Sequence, residues 1–173
     1  IDPSSAKDLD DCIHFNKIGS VPNSNDKNKN GPNVQQEIYE LGVHIADVTF
    51  YLNLETNSEL LEHVLKTCTS YYWPNKTLHM LPDNLSADMC SLNPNQKKKT
   101  MSMTWKVVKT KNGNQEFWSV PYDFWYGQGE IISTRKFSYD EANDLIDENE
   151  TLKNLKSFTS NFDKTKVKYD MDF

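Results

Sequence analysis

The 173-residue chain is predicted to fold as an α+β domain with a mixed, largely antiparallel sheet and flanking helices. Three observations predict this fold class. Residues 101–107 alternate between apolar and polar side chains and lead to Asn112-Gly113, a strong signal for a β-hairpin. Two separate segments each begin with a capping box and continue with apolar residues at helical spacing. The sequence shows no internal repeat, so a repeat architecture is not expected.

The predicted strands are rich in β-branched and aromatic residues. The first spans residues 12–18, where apolar and polar side chains alternate loosely. Residues 37–52 are predicted to form one strand or two, because Gly42 interrupts the segment. Residues 101–107 and 116–122 are predicted to flank the Asn112-Gly113 turn as neighbouring strands.

The predicted helices begin at residues typical of a helix N-terminus. Thr56 and Glu59 form the first capping box, and apolar residues at helical spacing follow directly. This helix must end before Pro74. Ser138 and Glu141 form the second capping box, which predicts a helix running to about residue 148. One more helix is indicated by four apolar residues: Leu152, Leu155, Phe158 and Phe162.

Residues 19–36 are strongly polar and consist largely of Asn, Lys, Gly, Pro and Ser. Such a segment cannot bury enough apolar surface to offset the conformational entropy lost on ordering, which is ~1–2 kcal/mol per residue. Loops of this length are uncommon inside compact domains. We therefore expect residues 19–36 to be a flexible insertion whose deletion leaves folding intact.

The composition excludes several classes of protein. The 25 acidic residues outnumber the 19 basic ones, and the net charge of -6 argues against a simple nucleic-acid-coating protein. The three cysteines are widely spaced and form no CxxC motif, which argues against a disulfide framework or a structural zinc site. Their scarcity favours a reducing, intracellular compartment. No apolar run approaches the ~18 residues needed to span a bilayer, so no membrane partner is expected.

Four aspartates are concentrated near the start of the chain: Asp2, Asp8, Asp10 and Asp11. Like charges repel, so this density is unfavourable unless a cation lies among them, and Mg²⁺ prefers carboxylate oxygen ligands. The alternative is a polar surface loop that binds nothing. Leu9 lies among the acids and the first predicted strand follows directly, so the acids are expected at the edge of a sheet.

Three segments of the sequence, the first of which contains the four aspartates, are spaced along residues 1–94. They are IDPSSAKDLDD at residues 1–11, ELGVHIADVTFYL at residues 40–52 and TSYYWPNKTLHMLPDNLSADMCSLNP at residues 69–94. Together they resemble the motifs of the RNB family, which includes the RNase II and RNase R exoribonucleases and the catalytic subunit of the eukaryotic exosome. We therefore expect residues 1–173 to be the N-terminal part of an RNB-type catalytic domain. We find no counterpart of the Arg and Glu that the family's second half supplies, nor of its cold-shock and S1 domains.

The resemblance implies a processive 3′-to-5′ exoribonuclease. Such an enzyme hydrolyses single-stranded RNA to nucleoside 5′-monophosphates with the assistance of one or two Mg²⁺ ions. The implied catalytic and metal-binding residues are Asp2, Asp8, Asp10 and Asp11. Catalysis is expected to depend most on Asp10.

The implied partners are single-stranded RNA and, as a further candidate, exosome core subunits; DNA is not expected. The implied location is the nucleus, the cytoplasm or both. Some family members have lost the acids and only bind RNA, so the alternative is a catalytically silent RNA-binding protein in translational control. The four intact aspartates favour the enzyme.

The resemblance also implies RNA contacts outside the acidic cluster. Tyr72 matches the position where the family stacks an aromatic ring on RNA, Trp125 lies near the position of a second aromatic clamp, and Ser91 is expected to line the RNA path. Core packing is the alternative for residues 71–73, and for residues 124–126 it is the more common role. His44 and Asp47 are expected to form a hydrogen-bonded structural pair near the site.

Two other features have simpler expectations. His79 stands where the family motif usually has another residue, and no role is assigned to it. Residues 97–99 form a run of three lysines, which either is merely solvated or attracts phosphate.

Overall fold

The computed structural model describes residues 1–21, 34–52 and 58–164. The chain divides into two compact units, which are described separately. Unit 1 consists of Ile1–Cys12, Val43–Met103 and Tyr126–Tyr139; unit 2 consists of Ile13–Gly42, Thr104–Trp125 and Asp140–Phe173. No helix among the described residues is long and apolar enough to cross a membrane.

The structure confirms the predicted α+β class. The strands are β1 (Asp11–Val21), β2 (Val34–Ala46), β3 (Tyr71–Trp73), β4 (Lys76–Leu78), β5 (Lys97–Asn112), β6 (Gln115–Trp118) and β7 (Tyr122–Ile132). A five-stranded sheet has the order β1-β2-β5-β6, with β7 also paired to β5, while β3 and β4 form an antiparallel hairpin of their own. The predicted Asn-Gly turn is confirmed: Asn112 pairs with Gln115, and Gly113 adopts a positive φ of 58°.

The helices are α1 (Val48–Tyr51), α2 (Ser58–Thr67), a π-helix (Asn84–Met89), α3 (Tyr139–Asp144) and α4 (Glu150–Lys164). The helix predicted to run to about residue 148 ends at Asp144, the last predicted helix is confirmed as α4, and the sequence did not predict α1 or the π-helix. The strand predicted to reach residue 52 ends at Ala46, because the Asp47 carboxylate accepts a hydrogen bond from Phe50 N at 3.2 Å and caps α1. Thr56, the predicted cap of α2, lies outside the described residues.

The predicted insertion at residues 19–36 is too long at both ends. β1 extends to Val21 and β2 begins at Val34, so residues 19–21 and 34–36 belong to strands. Sheet pairing is made by backbone groups, and polar side chains that stay exposed do not prevent it. Residues 22–33 lie outside the described residues.

Each unit has its own hydrophobic core. In unit 2, the aromatic rings of Phe15, Tyr39, Trp118 and Phe158 pack with neighbouring centroids 5.3–5.7 Å apart. In unit 1, the core cluster consists of Leu9, Ala46, Cys90 and Leu92. Cys90 is a buried apolar side chain, and burial raises the pKa of its thiol. Because Leu9 belongs to this core, the acidic segment around it is anchored to unit 1.

Candidate active site

The acidic segment at residues 1–11 is fixed by backbone hydrogen bonds. Leu9 O accepts a hydrogen bond from Leu92 N at 2.8 Å, and Asp10 O accepts one from Ala46 N at 2.9 Å. Asp2 N donates to Phe137 O at 3.1 Å. The side chain of Leu9 is buried between these contacts. The aspartates therefore project from a segment of defined conformation, as expected from the apolar residue among them.

Ser91 fastens the same segment from inside the protein. Its side chain is fully buried, its Oγ accepts a hydrogen bond from Leu9 N at 3.0 Å, and it donates to Lys7 O at 3.3 Å. The expectation that Ser91 lines the RNA path is therefore not met, because a buried hydroxyl with two protein partners is not accessible to RNA. Ser91 instead holds the backbone on either side of Asp8.

Three of the four aspartates and Tyr72 line one cavity of about 650 Å³, which we call the acidic cavity. Asp2, Asp8 and Asp10 all contribute to its wall, as do Thr77 and His79. A smaller cavity of about 260 Å³ shares Asp8, Asp10, Tyr72 and His79 with it. The structure therefore brings together most of the predicted catalytic residues and the predicted base-stacking tyrosine.

Asp11 is placed differently from the other three acids. It is the first residue of β1, is exposed to solvent and does not line the acidic cavity. The alternation of side chains along a strand explains the difference, since adjacent residues point to opposite faces. Its charge still acts on Asp10.

The electrostatics of the cluster are centred on Asp10. Desolvation of its carboxylate raises the pKa, and the negative charges of Asp8, Asp11 and Asp2 raise it further. Charged carboxylates that oppose one another's ionisation form a region of negative potential. A cation bound in this region would reverse the effect and favour the ionised form.

The donor chemistry of the acidic cavity fits Mg²⁺, which is typically bound by one or two carboxylates, retained waters and substrate phosphates. The carboxylates of Asp2, Asp8 and Asp10 are oxygen ligands of this kind on one cavity wall. Within residues 1–21, 34–52 and 58–164, no three His, Cys, Asp or Glu side chains lie close enough together to hold a metal ion as a cluster. The residues therefore suit a partly hydrated ion and not a closed protein cage.

Tyr72 and Trp125 lie in different units. Tyr72, in β3, is 71% exposed and lines the acidic cavity. Trp125, in β7, is about half exposed and belongs to unit 2, whereas the cavity is lined by residues of unit 1. Core packing for residues 124–126 is wrong, because all three side chains are exposed. Among the described residues β7 pairs with β5, and its residues 122–126 are exposed along the strand.

His44 and Asp47 both have structural roles near the site; the bonds described for them are to other residues, and the expected hydrogen bond between the two stays a prediction. His44 is buried, and its Nδ1 lies 2.8 Å from Ser102 Oγ. Asp47 is buried, and its carboxylate accepts hydrogen bonds from Thr49 Oγ1 at 2.5 Å and from Gln128 Nε2 at 3.3 Å. Each holds neighbouring elements of unit 1 together.

The lysine run at residues 97–99 is also structural. Lys97 and Lys99 both contact the Glu130 carboxylate, at 3.0 and 3.1 Å. Lys98 points to the other face of β5, where it is buried and donates to Met89 O at 3.3 Å and to Asp88 O. Side chains alternate along the strand, and the ammonium groups of all three lysines contact acceptors within the protein.

His79 is a cavity residue that the sequence did not identify. Its Nδ1 lies 3.8 Å from Asp8 Oδ2, and its Nε2 lies 3.9 Å from Asp83 Oδ1. Nδ1 is buried and has no hydrogen-bond partner in the part of the chain that the structure describes. His79 follows directly after β4 and lines the same cavity as Thr77, and no pattern in the sequence marks it.

Relatives of the chain point to one family. The RNB domain family matches residues 1–170. The chain is 33% identical to DIS3-like exonuclease 2 of Xenopus tropicalis, over 84% of the chain and 14% of that protein. It is 34% identical to ribonuclease R of Aquifex aeolicus, over 84% of the chain and 17% of that protein. The chain thus spans less than a fifth of the length of these relatives.

A solved structure shares the fold. Mycoplasma genitalium RNase R, in complex with ribose-methylated single-stranded RNA, is 29% identical with a TM-score of 0.61. The match covers 90% of this chain and 21% of that one. With the motif order, the acidic cavity and this agreement of sequence and fold, the chain belongs to the RNB domain family.

Proposed function

We propose that the intact protein is a 3′-to-5′ exoribonuclease that acts on single-stranded RNA, and that the acidic cavity is its hydrolytic site. The observation that carries the proposal is that Asp2, Asp8, Asp10 and Tyr72 line one cavity. Three carboxylates suit a phosphodiester-hydrolysing metal site, and an exposed aromatic ring suits a nucleobase. The names of the related ribonucleases support the same reaction class.

The proposed cofactor is one or two Mg²⁺ ions, held by Asp2, Asp8 and Asp10 directly or through water. When bound, Mg²⁺ supplies a water of lowered pKa and neutralises charge that develops on the phosphate. Asp11, outside the cavity wall, adds negative charge to the cluster but has no direct contact with the substrate in this proposal. The negative charges of the other three aspartates all act on Asp10, and this central position supports its assignment as the most sensitive one.

The protein's own residues position the RNA. Tyr72 stacks on a base near the 3′ end, a contact that ignores sequence because every base has a π-face. Stacking holds the terminal phosphodiester beside the aspartates and performs no bond cleavage. Ser91 keeps the acidic segment in place from inside the protein. Trp125 remains a proposed second aromatic contact with RNA.

The alternative is a catalytically silent RNB-like protein that binds RNA in translational control. The presence of all four aspartates and the lining of one cavity by three of them favour hydrolysis. An intracellular location, in the nucleus, the cytoplasm or both, and association with exosome core subunits are further proposals that rest on the family resemblance.

The test uses the intact protein and single-stranded RNA labelled at its 5′ end. We expect shortening from the 3′ end, release of nucleoside 5′-monophosphates and dependence on Mg²⁺. RNA carrying a blocked 3′ end is the control and should be degraded slowly. RNA binding without degradation at any Mg²⁺ concentration would instead support the silent RNA-binding protein.

A further inference from the structure

The β3–β4 hairpin has two faces with different surroundings. Side chains alternate along a strand, and directly paired residues of antiparallel strands share a face. Tyr72 pairs with Thr77, and both line the acidic cavity. The other face, which we call the outer face, consists of four residues: Tyr71, Trp73, Lys76 and Leu78. None of these four lines the acidic cavity.

The outer face presents two stacked aromatic rings to solvent. The ring centroids of Tyr71 and Trp73 lie 5.7 Å apart with an interplanar angle of 18°. The side chains are nonetheless 44% and 53% exposed. Contiguous exposed apolar side chains are a feature of interaction surfaces. A parallel pair that stacks through one face of each ring keeps an outer π-surface on which a further planar group can stack.

A cation lies beside this aromatic pair. Lys76 is the direct cross-strand partner of Trp73, so their Cβ atoms are expected to be about 4.5–5.5 Å apart. Among the described residues, no carboxylate lies within ion-pairing distance of Lys76. An aromatic surface next to an uncompensated ammonium group is complementary to a nucleobase followed by a phosphate. An apolar peptide would leave the charge without a partner.

We propose that the outer face is a second binding site for single-stranded RNA, separate from the acidic cavity. A nucleobase stacks on the Tyr71–Trp73 pair, and the Lys76 ammonium group binds an adjacent backbone phosphate. The inference rests on the proposed function for the identity of its ligand, but it concerns binding and needs no hydrolysis. One RNA strand long enough to pass around the hairpin contacts Tyr72 on one face and Trp73 on the other.

The experiment measures RNA affinity by fluorescence anisotropy in the intact protein carrying Asp10→Asn, without Mg²⁺, so that the RNA is not degraded. The probes are labelled oligouridylates of about four and about twenty nucleotides, a range that brackets the site sizes of single-strand binding modules. Trp73→Ala should weaken binding of the long probe by about 5- to 150-fold and leave the short probe nearly unchanged. Tyr72→Ala should weaken both.

Three further variants sharpen the result. Trp73→Phe should retain most of the affinity, because it keeps a ring. Lys76→Gln should lower the magnitude of the slope of log affinity against log salt by about 0.7, as expected for one lost phosphate contact on a single strand. Phe117→Ala is the matched control, because Phe117 is also half exposed but lies on β6, in the other unit. It should change neither probe.

The proposal is overturned if Trp73→Ala and Lys76→Gln bind the long probe as the Asp10→Asn protein does, a result that would point to a protein partner for this face. It is also overturned if Trp73→Ala weakens both probes equally, since the outer face would then belong to the acidic cavity. If Trp73→Ala does not fold, the salt dependence of Lys76→Gln decides, and an unchanged slope overturns the proposal. RNA degradation by the protein with intact aspartates is measured separately. Failure of the proposed exoribonuclease function can therefore be told apart from failure of the second RNA-binding site.

Discussion

Replacing Ser91 by alanine should damage the candidate active site from inside the protein. The hydroxyl accepts a hydrogen bond from Leu9 N and donates one to Lys7 O, on either side of Asp8. The substitution removes both bonds without removing any residue that faces the acidic cavity. The buried Leu9 N–H then has no side-chain acceptor, and the segment that carries the aspartates loses its internal attachment.

The magnitude follows from these contacts. Leaving a buried donor unsatisfied lowers the free energy of unfolding by about 1–3 kcal/mol. The volume lost with the hydroxyl group is small, so the unsatisfied donor dominates the effect. The effect on rate arises from displacement of the aspartates, since a misplacement of about 1 Å can cost up to ~10²-fold. We therefore expect Ser91→Ala to lower the free energy of unfolding by about 2 kcal/mol and the RNA degradation rate by about 10- to 100-fold.

The assay compares Ser91→Ala with Ser102→Ala in the intact protein. Ser102 is also a buried serine of unit 1, but its Oγ contacts His44 and Thr100 and not the acidic segment. Urea unfolding should show comparable losses of stability for both variants. At temperatures where both variants are folded, only Ser91→Ala should degrade RNA more slowly than the unsubstituted protein. Equal rates for the two variants would refute a positioning role for Ser91.

Two other predictions concern binding and pH. Tyr72→Ala should retain hydrolysis but weaken binding of short RNA by ~1–3 kcal/mol and leave a longer final product, which a sequencing gel detects; an unchanged product length would contradict the stacking role. In unit 2, hydrogen bonding from Lys17 lowers the pKa of Glu37 below 4.5, with a smaller contribution from the Lys111 charge. The ionised carboxylate therefore stabilises the fold above pH 4.5, and this contribution is lost as the pH falls through the lowered pKa. Glu37→Gln should cost about 0.5–1 kcal/mol at pH 7 and little in acid, as measured by urea unfolding; an equal cost at both pH values would contradict this.

The sequence predicts the parts of the fold that depend on local pattern. The Asn112-Gly113 turn and the last helix were predictable, because each depends on residues close together in the chain. The sequence did not predict β7, since the strand predicted after the hairpin stops at residue 122, where β7 begins. Its residues 122–126 are exposed on both faces, so no alternation of apolar and polar side chains marks them.

The sequence predicted which residues belong to the candidate site better than it predicted how they are arranged. The family motifs indicated the four aspartates and Tyr72, and three of the aspartates share a cavity with that tyrosine. The role of Ser91 depends on a contact with Leu9, which is 82 residues away in the chain, and no local pattern encodes it. The position of His79 between Asp8 and Asp83 likewise follows from how the β3–β4 hairpin packs, which a lone histidine in the sequence does not reveal.

The most direct test of the central claim is the rate of Mg²⁺-dependent RNA degradation by the intact protein carrying Asp10→Asn, with RNA affinity measured in parallel. The substitution is nearly isosteric and removes one negative charge from the cluster. We predict a loss of at least ~10²–10³-fold in rate, because a preorganised electrostatic element is lost, with RNA affinity unchanged or slightly higher. Degradation at the rate of the unsubstituted protein would contradict the assignment of the acidic cavity as the hydrolytic site.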